Sequence, residues 1–245
     1  MNKKKAISNA IRYAIYLLVI VFFVWTFQQG YFNKIFDETD KFFVLLKQHL
    51  MLVGVSSLLA FIVALPAGIL VTRPTFRKAE WLVSNLANLG QTIPSLAVLA
   101  LMMGILGLGF KTAVFALFIY SVLPIFRNTV AGIDSVNENT IDAARGMGLK
   151  PHQILFRIEL PNAAYSIMAG IRTAIVLNIG TAALAFLIGG GGLGVWIFTG
   201  ISLFNNGILL SGAVPVTILA VLVDFLLRML EYAVVPKGSR RSAEA

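Results

Sequence analysis

The run Thr140-Ile141-Asp142-Ala143-Ala144-Arg145-Gly146-Met147-Gly148, continued by Leu149 to Ile158-Glu159-Leu160-Pro161, decides how this chain is read. It is polar and charge-rich in a sequence that is otherwise almost continuously apolar, so it has to leave a bilayer and act in water. Thr140 suits a helix N-cap, with Ile141 to Met147 as two turns and Asp142 placed where a carboxylate favours the positive helix end. Ala143 and Ala144 would leave a low, smooth face. Gly148 can adopt the left-handed conformation that stops a helix, and Pro151 suits the first turn of a second short helix to about Glu159, closed by Leu160-Pro161. A short small-faced helix held between two membrane spans has the form of a knob for another protein's groove.

Of the 245 residues, 58% are hydrophobic and 13% charged, with a mean hydropathy of +0.85, more apolar surface than a soluble core of this length buries. The expected class is an all-α integral membrane protein of about six transmembrane helices. Without cysteine, disulfides, thiolate metal sites and Cys nucleophiles are excluded, and the redox compartment is unreadable. The net charge of +9 sits beside apolar spans, where it sets topology and meets anionic lipid, so no nucleic-acid partner is expected. Lys3-Lys4-Lys5 and the apolar run after it imitate a signal peptide, but Gln28-Gln29-Gly30-Tyr31 follows in place of a small-residue cleavage site. This run reads as a retained first span.

Span one covers about Ile11 to Phe27, and an acidic external loop or short interfacial helix runs to Lys41, within an N-terminal region of 1–44. Span two, about Leu50 to Val71, contains Ser56-Ser57 and Pro66. The basic loop Arg73 to Lys78 leads to span three, about Trp81 to Leu106, interrupted by the polar patch Gln91-Thr92-Ile93-Pro94. After a turn at Gly107 to Lys111, span four covers about Thr112 to Val130. The docking loop takes 131–165, and span five runs from about Ile167 to Ile188, ending in Gly189-Gly190-Gly191-Gly192-Leu193-Gly194. Val195 to Gly207 is expected to re-enter or line an outer pathway. Span six covers about Ile208 to Leu230, closing a permease-like region of 45–230 before the basic tail 231–245 with Lys237, Arg240 and Arg241.

With both termini cytoplasmic, sixteen basic residues fall inside, counting Arg172, and four outside, Lys34, Lys41, Lys47 and Lys111. This is a clear positive-inside bias. It puts the docking loop in the cytoplasm, although the loop motif played no part in assigning the spans.

The spacing Asp142-Ala143-Ala144, Gly148, Ile158-x-Leu160-Pro161 resembles the cytoplasmic-loop signature of ABC importer permeases, with Asp142 in place of the family's Glu. Further pieces resemble the osmoprotectant branch of that family. They are Gly90-Gln91-Thr92-Ile93-Pro94-Ser95, Leu123-Pro124-Ile125, Ala169-Gly170-Ile171-Arg172-Thr173, Asn178-Ile179-Gly180-Thr181-Ala182 and the glycine run, together covering about Leu50 to Arg228. The resemblance implies a type I importer permease fold whose loop is the coupling helix. It also implies a non-catalytic subunit of a bacterial cytoplasmic membrane that pairs with a second permease, identical or not. Two cytoplasmic ATPases would hold the ATP and Mg, and an extracytoplasmic protein would deliver a quaternary amine such as glycine betaine, carnitine or choline. In keeping with this, the sequence lacks the Gly-x4-Gly-Lys-Ser/Thr phosphate loop, and no cofactor is expected on this chain.

A quaternary ammonium has no N–H to donate, so aromatic faces should line its route. Tyr120, Phe186 and Trp196 are the candidates, with Gln91, Thr92, Asn178 and Thr181 as a polar seam. The competing reading makes them packing, interface or helix-bracing residues. Pro94, a kink in span three, and Gly189 to Gly192 read as hinge points, the glycines alternatively as a close helix approach. Arg172 is expected to snorkel or hold the docking loop, and Asp224 and Arg228 to pair on one face. His49 and His152 lie far apart, and no metal or catalytic site is expected. Rival readings are an importer for another small solute such as methionine, an ion-coupled transporter, for which Asp224 alone supplies an intramembrane carboxylate, or a membrane scaffold.

Overall fold

The structure is a computed structural model, and residues 3–235 are described here. Eleven α-helices follow one another: α1 Lys3–Gln28, α2 Asn33–Asp37, α3 Thr39–Val71, α4 Arg77–Thr92, α5 Ser95–Leu106, α6 Phe110–Asp134, α7 Glu138–Gly146, α8 Pro151–Ile154, α9 Leu160–Thr181, α10 Gly194–Ser202 and α11 Asn206–Val234. A π-helical turn, Leu155–Glu159, joins α8 to α9, and a 3-10 stretch, Ala182–Ile188, extends α9. The basic tail lies outside the described residues. Among the described residues five segments are long and apolar enough to cross a membrane, those of α1, α3, α6, the run Pro151–Ile188 and α11, while α5 is apolar but shorter.

The bundle is built round α6, which packs against α3 on one side and α9 on the other. Of its span, 61% is buried, against 6% for α1, so α6 is the core and α1 stands at the perimeter. Small residues make the close approaches. A Cβ on Gly170 of α9 would lie 2.6 Å from Asn128 Cβ and 2.7 Å from the Pro124 carbonyl of α6, and one on Gly68 of α3 would lie 2.8 Å from Thr129. Between helices surrounded by lipid there is little hydrophobic drive, and such approaches supply the dispersion contacts that hold them together.

The expected third span is not one helix. Pro94 has no N–H to continue the ladder and forces Ile93 out of the helical region, to ψ 127°, so the segment divides into α4 and α5. The second short helix of the docking loop does not stop at Leu160-Pro161 either. Pro161 enters the first turn of α9, and the π turn before it absorbs the missing donor, with Leu160 N–H bonding the Leu155 carbonyl and Asn162 Nδ2 donating to Ile158 O at 2.7 Å. The docking loop is therefore continuous with span five. Arg172 does not reach that loop. It pairs with Asp224 at 3.5 Å and Glu231 at 3.0 Å on α11, while Arg228 pairs with Asp224 at 2.9 Å.

Gly170→Ala is expected to destabilise the α6–α9 contact by about 1 to 3 kcal/mol through overpacking. Gly54→Ala, with nothing within 4 Å of its new methyl, is the control without overpacking and should keep or raise stability. Thermal unfolding of the two variants in detergent compares them directly.

Candidate functional site: a rooted finger and an outer turn

Helix α7 starts three residues earlier than the sequence suggests. Asn137, not Thr140, is the N-cap, its side chain accepting the Asn139 N–H at 2.8 Å, and Glu138 supplies the first-turn carboxylate. Asp142 therefore sits past the first turn and forms an exposed pair with Arg145 at 2.9 Å. At the other end Gly148 has φ +80°. Its N–H bonds Arg145 O at 2.9 Å and Leu149 N–H bonds Ala144 O at 3.1 Å, the paired closure that only a left-handed residue allows. The two alanines do not share one open face. Ala143 is exposed, whereas Ala144 is buried, 1% exposed, and so is Ile154 on α8, against which α7 packs, at 5%.

This finger is fixed at its root by two ion pairs. Arg77, opening α4, donates both terminal nitrogens to Asp134, closing α6, at 2.7 and 3.0 Å, a fork that raises the guanidinium above its ordinary pKa. Arg73, just past α3, reaches the buried Glu159 carboxylate at 2.6 Å, on the π turn leading to α9. Gly132 adds a close contact, since a Cβ there would lie 2.9 Å from Ser166 Cβ. Three helices thus hold the two ends of one loop. Sequence reading took Arg73 and Arg77 only as topology signals, because partners 86 and 57 residues away leave no local pattern. Of the remaining signature positions, Ile158 and Leu160 are half-buried on the π turn and at the start of α9, and Pro161 follows them.

At the opposite end the glycine run makes a tight turn between α9 and α10. Gly189, Gly191 and Gly192 have φ +74°, +79° and +82°. A Cβ on Gly190 would meet Ala185 at 2.9 Å, and Gly192 N–H donates to Gln48 Oε1 at 3.0 Å. Buried His49, next along α3, lies within hydrogen-bond distance of Ile179 O, Nε2 to O 2.9 Å. Of the two expected roles, close helix approach is the one these contacts describe. Sequence reading passed over Gln48 and weighed His49 only as a metal or catalytic residue; a histidine ten residues inside an apolar helix was the available signal for a structural role.

The pathway candidates fall in separate places. Trp196 is 1% exposed and stacks on Phe42 at 5.9 Å, and Phe186 stacks on Phe198 at 5.7 Å, so both belong to the aromatic packing around α10. Asn178 is fully buried and donates to Ser56 and Ser57 at 2.9 and 3.1 Å, bracing α9 on α3. Thr181 bonds Leu177 O, and Thr92 bonds Leu89 O. Tyr120 donates its hydroxyl to Ile93 O at the α4–α5 break, which brings Tyr120, Thr92 and Pro94 together. The Gln91 side chain lies outside those described.

Residues 64–236 match the profile of the family described as binding-protein-dependent transport system inner membrane component. The choline transport system permease protein OpuBB of Bacillus subtilis (strain 168) is 44% identical over 197 residues, 80% of this chain and 90% of the relative. The osmoprotectant import permease protein OsmY of Salmonella typhimurium is 43% identical over 211 residues, covering 86% and 88%. Among solved structures, an inward-facing conformation of the MetNI methionine ABC transporter superposes with a TM-score of 0.72 at 25% identity, over 80% of this chain and 96% of that one.

Arg73→Met leaves the buried Glu159 carboxylate unpaired and is expected to cost about 3 to 5 kcal/mol. The double change Arg73→Met with Glu159→Leu should recover most of it. Hydrogen exchange across residues 137–160 and the unfolding midpoint read both effects. The matched region, the shared length and the helical bundle place this chain in the family of binding-protein-dependent transport system inner membrane components.

Proposed function

We propose that the chain is the membrane-spanning permease of an ATP-driven importer for quaternary-amine osmolytes such as glycine betaine, carnitine and choline. The observation that carries this reading is the α7 finger, capped at both ends and bolted by Arg73 and Arg77 to the helices that form the bundle. A displacement of α7 has little slack to spend before it reaches α3, α6 and α9. The amine cargo rests on relatives whose names specify choline, carnitine, glycine betaine or osmoprotectant transport.

In this reading both termini and the finger are cytoplasmic, an orientation that the distribution of basic residues supports. Two ATPase subunits grip the fingers of this chain and of a second permease, hold the ATP and Mg, and close on nucleotide. An extracytoplasmic binding protein hands solute to the opposite face. The chain itself performs no bond chemistry. Its work is to convert a push on α7 into an alternation of openings between helices.

The burial pattern selects the test. Ala143 is the exposed alanine, so Ala143→Trp obstructs docking while leaving the finger's own packing intact, whereas Ala144→Trp breaks the finger from within. With the ATPase, second permease and binding protein reconstituted in vesicles, glycine betaine, carnitine or choline is expected to stimulate ATP hydrolysis. Ala143→Trp should cut that stimulation by about tenfold or more, as loss of a central interface contact does. Stimulation by methionine and not by any quaternary amine would replace the cargo, and full stimulation in Ala143→Trp would remove the finger from the coupling path.

A further inference from the structure

The perimeter between α3 and α6 carries a groove of about 430 Å³, walled by Val55, Leu59 and Val63 of α3 and by Phe115 and Phe118 of α6, with Lys111 at one end. Leu59, Val63 and Phe115 are all more than 40% exposed, so the groove opens away from the core. From Val55 to Val63, and from Phe110 to Phe118, is eight residues, about 12 Å of helix. That is close to the depth of one leaflet of hydrocarbon, about 15 Å. The long axes of both helices run with the groove, which is therefore a slot one leaflet deep.

Its Lys111 end breaks a local rule. Lys111 is the second residue of α6, where the helix already presents its positive pole, and no acidic side chain lies in that turn. No side chain caps the turn, and Lys111 has no carboxylate partner among the described residues. A cation at an uncapped helix N-terminus is unfavourable by itself and becomes favourable when an anion joins it. The anion has to be carried by something apolar and about a leaflet long. We infer that the α3–α6 slot binds a phospholipid, its phosphate at Lys111 and the first turn of α6, and one acyl chain along Leu59, Val63 and Phe118.

The test uses the full chain assembled with its second permease and ATPase in lipid nanodiscs. One arm receives phosphatidylglycerol with a photoactivatable diazirine on the acyl chain, and the other receives the matching diacylglycerol, which has the chains and lacks the phosphate. Mass spectrometry of the digested protein then locates the label. The phosphatidylglycerol probe should label the 55–63 and 114–118 segments several-fold more than the diacylglycerol probe and more than the exposed face of α1. Lys111→Gln should remove that preference, and Leu59→Trp, which fills the slot and keeps the charge, should lower labelling by both probes. Equal labelling by the two probes, or labelling no stronger than on α1, would overturn the inference. So would labelling that appears only when the second permease is left out, which would make the slot a subunit interface. None of these readouts depends on which solute is transported, so the cargo assignment stands or falls separately.

Discussion

Inside hydrocarbon every backbone N–H and carbonyl has to find a partner within the protein, and the helix interruptions of this chain, within the spans and at their ends, are met in that way. At the α4–α5 break the Ile93 carbonyl is taken by the Tyr120 hydroxyl. At Pro161 the lost donor is absorbed by a π turn, and Asn162 bonds the Ile158 carbonyl. At the glycine turn Gln48 takes the Gly192 N–H, and Gly109 N–H bonds Ile188 O at 2.7 Å, so the turn before α6 and the turn after α9 hold each other. The interruptions are bound to neighbouring elements, and each can move only by exchanging a specific hydrogen bond. This is a different device from a loose hinge.

The same economy shapes the finger. A loop of two short helices would fray in water on its own, since helices this short nucleate poorly. Asn137 and Gly148 close the ends of α7, and the Arg77–Asp134 and Arg73–Glu159 pairs close the base. Such pairs add little net stability, because water screens the half-exposed Arg77–Asp134 pair and desolvation offsets most of the attraction at buried Glu159. What they add is geometry: with them in place the positions of α4, α6 and the π turn are fixed relative to one another. Between α9 and α11, Arg172, Asp224, Arg228 and Glu231 do the same.

Much of this was legible in the sequence because hydropathy and positive charge act over whole segments. The apolar runs marked the spans, and Gly148 announced its left-handed turn through the one residue type that adopts it freely. Pro94 was read as a kink and proved a full break, since the residue before a proline is also driven out of the helix. Pro161 was read as a stop and is a passage, because a π turn can absorb a proline at a helix entrance and no residue pattern signals it. Ala143-Ala144 looked like a uniform smooth face, yet neighbouring residues on a helix point about 100° apart, so one is open and the other buried. The long-range pairs at Glu159, Asp134 and Glu231 were invisible because their partners are set by tertiary approach alone. Asn178 and Trp196 were candidates for contact with solute on residue type, and their burial assigns them to bracing and packing in this conformation.

Because the chain has no cysteine, a single one placed at Ala143 reports on the finger without background. Labelling Ala143→Cys with a membrane-impermeant maleimide, in intact cells, in inverted vesicles, and in inverted vesicles with the ATPase assembled, asks whether α7 is cytoplasmic and whether a motor sits on it. Labelling confined to inverted vesicles and blocked when the ATPase is bound is the expected result. Labelling from outside intact cells, or labelling unaffected by the assembled ATPase, would contradict it.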